Sequence, residues 1–234
     1  MFKYDKKLPY PIDIKKKDIR MAKYLITQYG GANGELGAAL RYFSQKFTMP
    51  TDEGRALLND IATEEFGHVE MICVMVHQLL KGATKEELEA NGLTASYVEN
   101  GYGIYPVNSN GVPFDVSYFA SVGDPVADLA EDMAAEEKAR VTYEHLIDIA
   151  KDEDVINVLL FLRQREISQK IIWLYGFSIF SGEDISILKI MYSRFHLPMF
   201  NLKSFNNWMK FSFVTICVTK EDDSEDAFFI FLLK

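Results

Sequence analysis

The chain of 234 residues has a net charge of −9 and an isoelectric point near 5.0, so it lacks the basic surface that nucleic-acid binding requires. A chain of this length can form one good-sized domain, or one domain with an appendage. No segment approaches the ~18 consecutive apolar residues of a membrane-spanning helix, and no apolar stretch follows the charged start as in a secretory signal. We therefore expect a protein that is made in the cytoplasm and is neither secreted nor inserted in a membrane.

Helical patterns dominate the chain up to Phe177. After a basic, proline-marked arm (1–17), apolar residues recur with the helical period of 3.6 in two pairs of long segments. Thr51 after Pro50 and Asp124 before Pro125 are helix-start signals. This order predicts an all-α fold, a ferritin-like four-helix bundle (18–177) with a long crossover between its second and third helices. The predicted helices are 18–47, 51–82, 125–150 and 154–177, and the crossover is 83–123.

The composition changes near Ser168. From there to the end aromatic residues are markedly more frequent than before it, both tryptophans occur there, and Ala227 is the only alanine. No clear helical period survives past Ile179. We therefore treat 178–234 as an atypical, aromatic-rich tail. Two interpretations stay open: a second small subdomain, or translation that leaves the ancestral reading frame near Ser168, which we favour.

One glutamate in each predicted helix belongs to a set with regular spacing along the chain. Glu35 and Glu136 each lie thirty residues before a second glutamate, Glu65 and Glu166. His68 follows Glu65 by three residues, so the two share a helix face. A Glu-x-x-His motif on two helices and a glutamate on each of two others is the ligand pattern of ferritin-like dinuclear metal bundles. A single helical glutamate is usually an ordinary solvated charge, but the joint order and spacing favour a metal site.

Gln169 interrupts this pattern. It stands three residues after Glu166, where the pattern requires a second histidine. Other candidates are set aside. His77 and His145 are off the ligand face, and His196 lies in the tail. The remaining glutamates are expected to be surface or neighbouring charges: Glu64, Glu70, Glu131, Glu137 and Glu144.

The chain from its start to about Ser168 resembles the manganese catalases and, within them, spore coat proteins of endospore-forming bacteria. The resemblance rests on KYDKKLPYP, AKYLITQYGGANGELGAALRYFSQ, DIATEEFGHVEM, GDPVADLAEDMAAEEKARVTYEHLI and FLRQREIS. It implies two manganese ions, hydrogen peroxide as substrate, and a homo-oligomer such as a hexamer. It also implies manganese ligands at Glu35, Glu65, His68 and Glu136, with Glu65 bridging. By the same resemblance Glu166 handles protons and Tyr42 supports the site, while Gln169 replaces the fifth ligand, a histidine.

Three functions stay open at this point. The first is disproportionation of hydrogen peroxide, impaired by the weaker amide ligand of Gln169. The second is a non-catalytic structural role in the spore coat, in contact with other coat proteins. The third is a di-iron oxidase or iron-binding protein, because the same ligands serve iron.

Overall fold

The computed structural model describes residues 7–182, 213–217 and 229–233, and the first of these ranges is helical. Helix α3 (Glu35–Gln45) packs on α4 (Asp52–Leu80), and α7 (Pro125–Ile149) packs on α8 (Glu153–Ser181). The two helical hairpins meet through contacts of α3 with α7 and of α4 with α8. This is the four-helix arrangement that the sequence predicts. The described part of the chain also contains four shorter helices: α1 (Ile19–Leu25), α2 (Thr27–Gly30), α5 (Lys85–Ala90) and α6 (Thr94–Asn100).

The first predicted helix, 18–47, is wrong as a continuous element, because it is broken into α1, α2 and α3. Gly30 lies so close to the backbone of Pro106 in the crossover that a Cβ atom would come within 2.2 Å of it. The chain is extended at Gly31 and again at Gly34, the N-cap of α3. The break makes Glu35 the first residue of α3, where the helix dipole favours a negative charge.

The other helix starts are confirmed. The Thr51 hydroxyl accepts a hydrogen bond from the Gly54 amide at 3.0 Å, and Asp124 caps α7 with Pro125 as its first residue. Asp152 caps α8. Helix α8 continues to Ser181, beyond the predicted end at 177, so the bundle gains an additional turn of helix.

The crossover lies against α3. Its capping box at Thr84 is present and opens α5, and a short 3-10 helix, Val116–Phe119, packs on α3. Two side chains of α3 bind it directly. Arg41 Nη2 donates to the Tyr118 carbonyl oxygen at 2.9 Å, and Gln45 Nε2 donates to the Ser121 hydroxyl at 3.0 Å.

Two apolar clusters fill the bundle, one on each side of a buried polar layer. Along α4, Ile61 and Ala62 belong to one cluster, and Met71 and Ile72 to the other. Glu65 and His68 lie between them, and both are 0% exposed. Burial of apolar surface on both sides therefore stabilises the bundle and keeps this polar layer away from bulk water.

Two strands, β1 (Phe213–Cys217) and β2 (Phe229–Leu233), form an antiparallel pair in which Phe213 lies opposite Leu233. They belong to a second compact unit, Ser186–Lys234, and the sequence did not predict them. The rest of the tail, including His196, lies outside the described residues, so the prediction of a shifted reading frame stays a prediction. None of the described helices has the length and hydropathy of a membrane span.

Candidate metal centre

Four buried side chains from three helices converge between the apolar clusters. Glu35 of α3, Glu65 and His68 of α4, and Glu166 of α8 each offer one ligand atom, and these atoms lie within 4.8 Å of one another. The four side chains are at most 2% exposed. His68 Nδ1 lies 2.9 Å from Glu65 Oε2 and 3.6 Å from Glu35 Oε2. The structure thus brings together four of the residues that the sequence proposed.

Glu136 of α7 borders the same site. It lines one narrow cavity together with Glu35 and Glu166. Its Oε1 atom accepts hydrogen bonds from the Tyr42 hydroxyl at 2.5 Å and from Trp173 Nε1 at 2.9 Å. Tyr42, proposed as a supporting residue, therefore holds the Glu136 carboxylate in place.

A second tyrosine, which the sequence reasoning missed, completes a crossed pair. The Tyr143 hydroxyl of α7 donates to Glu35 of α3, while Tyr42 of α3 donates to Glu136 of α7. Each tyrosine follows a site glutamate by seven residues on its own helix, and so lies on the same face. The repeated spacing was a signal that could have identified Tyr143.

Burial shifts the pKa values of the site carboxyl groups, most of them in the direction that disfavours the charged form in the absence of a cation. Burial raises the pKa of Glu65 and of Glu166 well above the usual range, and neighbouring carboxylates add to both shifts. Burial also raises the pKa of Glu136. Burial alone would raise the pKa of Glu35, but the hydrogen bond and charge of His68 lower it overall. A bound divalent cation reverses this preference and holds the carboxylates ionised.

Gln169 lies on the ligand face of α8. It follows Glu166 by one turn and precedes Trp173, which contacts Glu136, by another. Gln169 is 0% exposed, and in the described ranges of the chain neither its Nε2 nor its Oε1 atom has a hydrogen-bond partner. An unpaired buried amide is costly, so its presence indicates that this position faces something that the protein itself does not supply.

Glu64 is a neighbouring charge of the site, within the range of roles that the sequence analysis left for it. Its carboxylate pairs with Arg165 of α8 at 2.5 and 3.1 Å, and its Oε1 atom lies 3.6 Å from His68 Nε2. Burial would raise the pKa of Glu64, but the charges of Arg165 and His68 lower it overall. Glu64 thus favours a proton on His68 Nε2, which leaves Nδ1 to face the carboxylates.

The remaining candidates stay away from the centre. Glu137 and Glu144 both pair with Arg140 on the bundle surface, and Glu131 pairs with Lys138. Within the described part of the chain, neither His77 nor His145 belongs to a metal-sized group of ligands. Cys73 is a free thiol, and burial together with the charge of Glu70 raises its pKa to about 11.

Comparison with known proteins identifies this arrangement. The family model for manganese-containing catalases matches residues 1–226. The chain belongs to the manganese catalase family. It is 54% identical over 167 residues to the protein CotJC of Bacillus subtilis, covering 71% of this chain and 88% of that protein. It is 36% identical over 168 residues to a probable manganese catalase of Clostridium acetobutylicum, covering 71% and 75% of the two chains.

Solved structures of the manganese catalase family share the fold. The crystal structure of wild-type KatB, a manganese catalase from Anabaena, superposes with a TM-score of 0.68 at 31% identity. The match covers 86% of this chain and 87% of KatB. The prediction of a ferritin-like bundle with a long crossover is therefore confirmed.

Membership of the manganese catalase family implies a dimanganese centre, and the buried polar atoms fit one. Among the described residues, no hydrogen-bond partner is found for the buried Glu65 Oε1 and Glu166 Oε1 atoms or for either polar atom of the Gln169 amide. Carboxylate oxygens are suitable ligands for manganese, and a bridging carboxylate can hold two ions. A pair of metal ions requires several such unpaired ligand atoms close together in a layer that is shielded from water.

Proposed function

We propose that this chain disproportionates hydrogen peroxide to water and dioxygen at a pair of manganese ions. The observation that carries the proposal is the convergence of four buried donor residues within 4.8 Å, with unpaired carboxylate oxygens among them. Glu35, Glu65 and His68 of this group, together with Glu136 beside it, would hold the two ions, with Glu65 shared between them. A manganese pair supplies the two-electron redox chemistry that the overall reaction, 2 H₂O₂ → 2 H₂O + O₂, requires.

The residues of the chain would then orient the ligand carboxylates, exclude water from the site and move protons. Tyr42 and Tyr143 donate to Glu136 and Glu35, which fixes the free oxygens of these carboxylates. The Glu166 carboxyl borders the cavity with one oxygen unpaired, so it can accept and return a proton at the substrate. The cavity beside it has a volume of about 10 Å³, enough for one water-sized molecule, which favours a very small substrate.

Gln169 is proposed to limit the activity. Its side chain offers an amide oxygen, which is a weaker ligand for a transition metal than the imidazole that the family pattern places there. One manganese ion would therefore be held less tightly. We expect lower metal occupancy and slower turnover than in a family member with the second histidine.

A structural role in the spore coat is the second candidate. The identity of 54% to CotJC and the loss of the fifth ligand favour it. The crossover also exposes apolar side chains at Val98, Val116 and Val122, which are 76%, 67% and 73% exposed. Exposed apolar residues promote association, so we propose a homo-oligomer that contacts other coat proteins. Iron in place of manganese, with oxidase or storage activity, is the third candidate.

Metal analysis and an oxygen-evolution assay on the purified full chain separate these functions. We expect up to two manganese ions per chain and measurable oxygen release, both abolished in Glu65→Gln. Glu89→Gln, on the exposed face of α5, is the matched control and should change neither. Little metal and no oxygen release would favour the structural role, and bound iron would favour the third function.

A further inference from the structure

The guanidinium of Arg41 is buried and largely unpaired. Arg41 is 3% exposed, and its Nη2 atom donates to the Tyr118 carbonyl oxygen at 2.9 Å. Its Nε and Nη1 atoms are buried and have no hydrogen-bond partner among the residues that the structure describes. The carboxylate nearest to Nη1 is that of Glu131 at 4.0 Å, and Glu131 is itself bound by Lys138 at 3.1 Å. Arg41 is therefore a buried cation whose donors are mostly unsatisfied.

Asp132 does not neutralise this charge. Its side chain is 0% exposed, and within the described part of the chain neither of its oxygens has a hydrogen-bond partner and no ion pair joins it to Arg41. Burial raises the pKa of Asp132 well above its usual range, although the charge of Arg41 opposes the shift. The one ion pair of Arg41 within the described residues is therefore the long contact with Glu131 at 4.0 Å.

Arg41 also lines the cavity that reaches the metal centre. Glu35, Glu136 and Glu166 form the same cavity wall. Its volume of about 10 Å³ is enough for one water-sized molecule, so only the smallest ligands fit. A buried, unpaired cation is costly, and charge-assisted hydrogen bonds from a guanidinium to an anion are strong. These two facts together favour an anion in the cavity.

We propose that the unpaired Nε and Nη1 donors of Arg41 form a binding site for a small monovalent anion beside the metal centre. When peroxide is present, the ligand is hydroperoxide, formed as one proton of hydrogen peroxide passes to the Glu166 carboxylate in the same cavity wall; otherwise the ligand is a small halide ion. The hydroperoxide part rests on the proposed function, whereas the anion site does not. Arg41 thus concentrates and orients the substrate before it meets the metals, and is a positioning residue.

The first test is halide binding, which needs no catalytic activity. Crystals of the full chain soaked in sodium bromide should show an anomalous peak in contact with the Arg41 guanidinium. Bromide should also raise the melting temperature of the unmodified chain but not of Arg41→Met. Arg20→Met, on the exposed face of α1, is the control and should keep the bromide response.

The second test separates substrate from halide. In halide-free buffer, Arg41→Met should raise KM for peroxide by about tenfold or more, because hydrogen bonds to a charged group are lost. Most of the loss should fall on KM, and Arg41→Lys should restore part of it. Chloride should compete with peroxide in the unmodified chain and lose this effect in Arg41→Met. If Arg41→Met does not fold, Arg41→Lys and the bromide peak decide the question.

Absence of the bromide peak together with an unchanged KM would overturn the proposal. A bromide peak in a protein that releases no oxygen would refute the catalase function but retain the anion site, with halide as its ligand. Oxygen release that is independent of Arg41, without bromide binding, would retain the catalase and refute the anion site.

Discussion

Replacement of Gln169 gives a sharp test of the incomplete metal site. The amide is fully buried, and neither its donor nor its acceptor has a partner. Gln169→Met keeps a similar side-chain volume and removes both polar groups. Gln169→His restores the imidazole of the family pattern. Once manganese is added, the two variants should change manganese retention in opposite directions.

The expected change in the free energy of unfolding follows from the unpaired polar groups of the Gln169 amide. A buried donor or acceptor without a partner costs about 1–3 kcal/mol. In the metal-free protein, Gln169→Met should therefore raise the free energy of unfolding by at least ~1 kcal/mol. With manganese present, the methionine offers no oxygen ligand, so this variant should lose metal faster than the unmodified chain. Gln169→His should retain metal longer, and a tenfold gain in affinity corresponds to ~1.4 kcal/mol.

Urea unfolding in the presence of a chelator measures the first effect, and manganese content after dialysis measures the second. Gln164→Met is the control, because Gln164 is a half-buried glutamine on the same helix. Its stability should change by no more than ~0.5 kcal/mol. If metal-free Gln169→Met is less stable than the unmodified chain, the amide makes favourable contacts and our reading of it as an unpaired group fails. If Gln169→His loses manganese, position 169 is not a ligand position.

Three further predictions test the surroundings of the centre. Tyr143→Phe should lower the free energy of unfolding by ~1.5–3 kcal/mol, because Glu35 loses a charge-assisted hydrogen bond; an unchanged urea midpoint would contradict this. Glu64→Gln should weaken manganese binding by about tenfold or more, because His68 loses the carboxylate that orients it; a metal titration measures this, and unchanged affinity would exclude the role. Asp132→Asn should stabilise the protein at pH 7 more than at pH 4. The folded state raises the pKa of Asp132 and so binds the extra proton, and its stability falls as the pH rises above the usual carboxyl value. Parallel urea midpoints for Asp132→Asn and the unmodified chain across this pH range would refute the assignment.

The sequence alone determined the architecture of the chain up to Phe177 and most of the candidate site. Apolar periodicity and helix caps such as Thr51 and Asp124 are local signals, so they locate long helices without tertiary information. The three-residue spacing from Glu65 to His68 is equally local. It could predict which side chains face inward, because residues three, four and seven apart share a helix face.

Only the tertiary structure decided which partners these side chains meet. The break before Glu35 arises from the approach of the crossover backbone to Gly30, across a long sequence separation. The crossed hydrogen bonds of the two tyrosines and the pairing of Glu64 with Arg165 likewise join different helices. Burial of the Arg41 guanidinium depends on the crossover segment that covers α3. Such contacts depend on how the hairpins pack together, and helical periodicity within one segment carries no information about that packing.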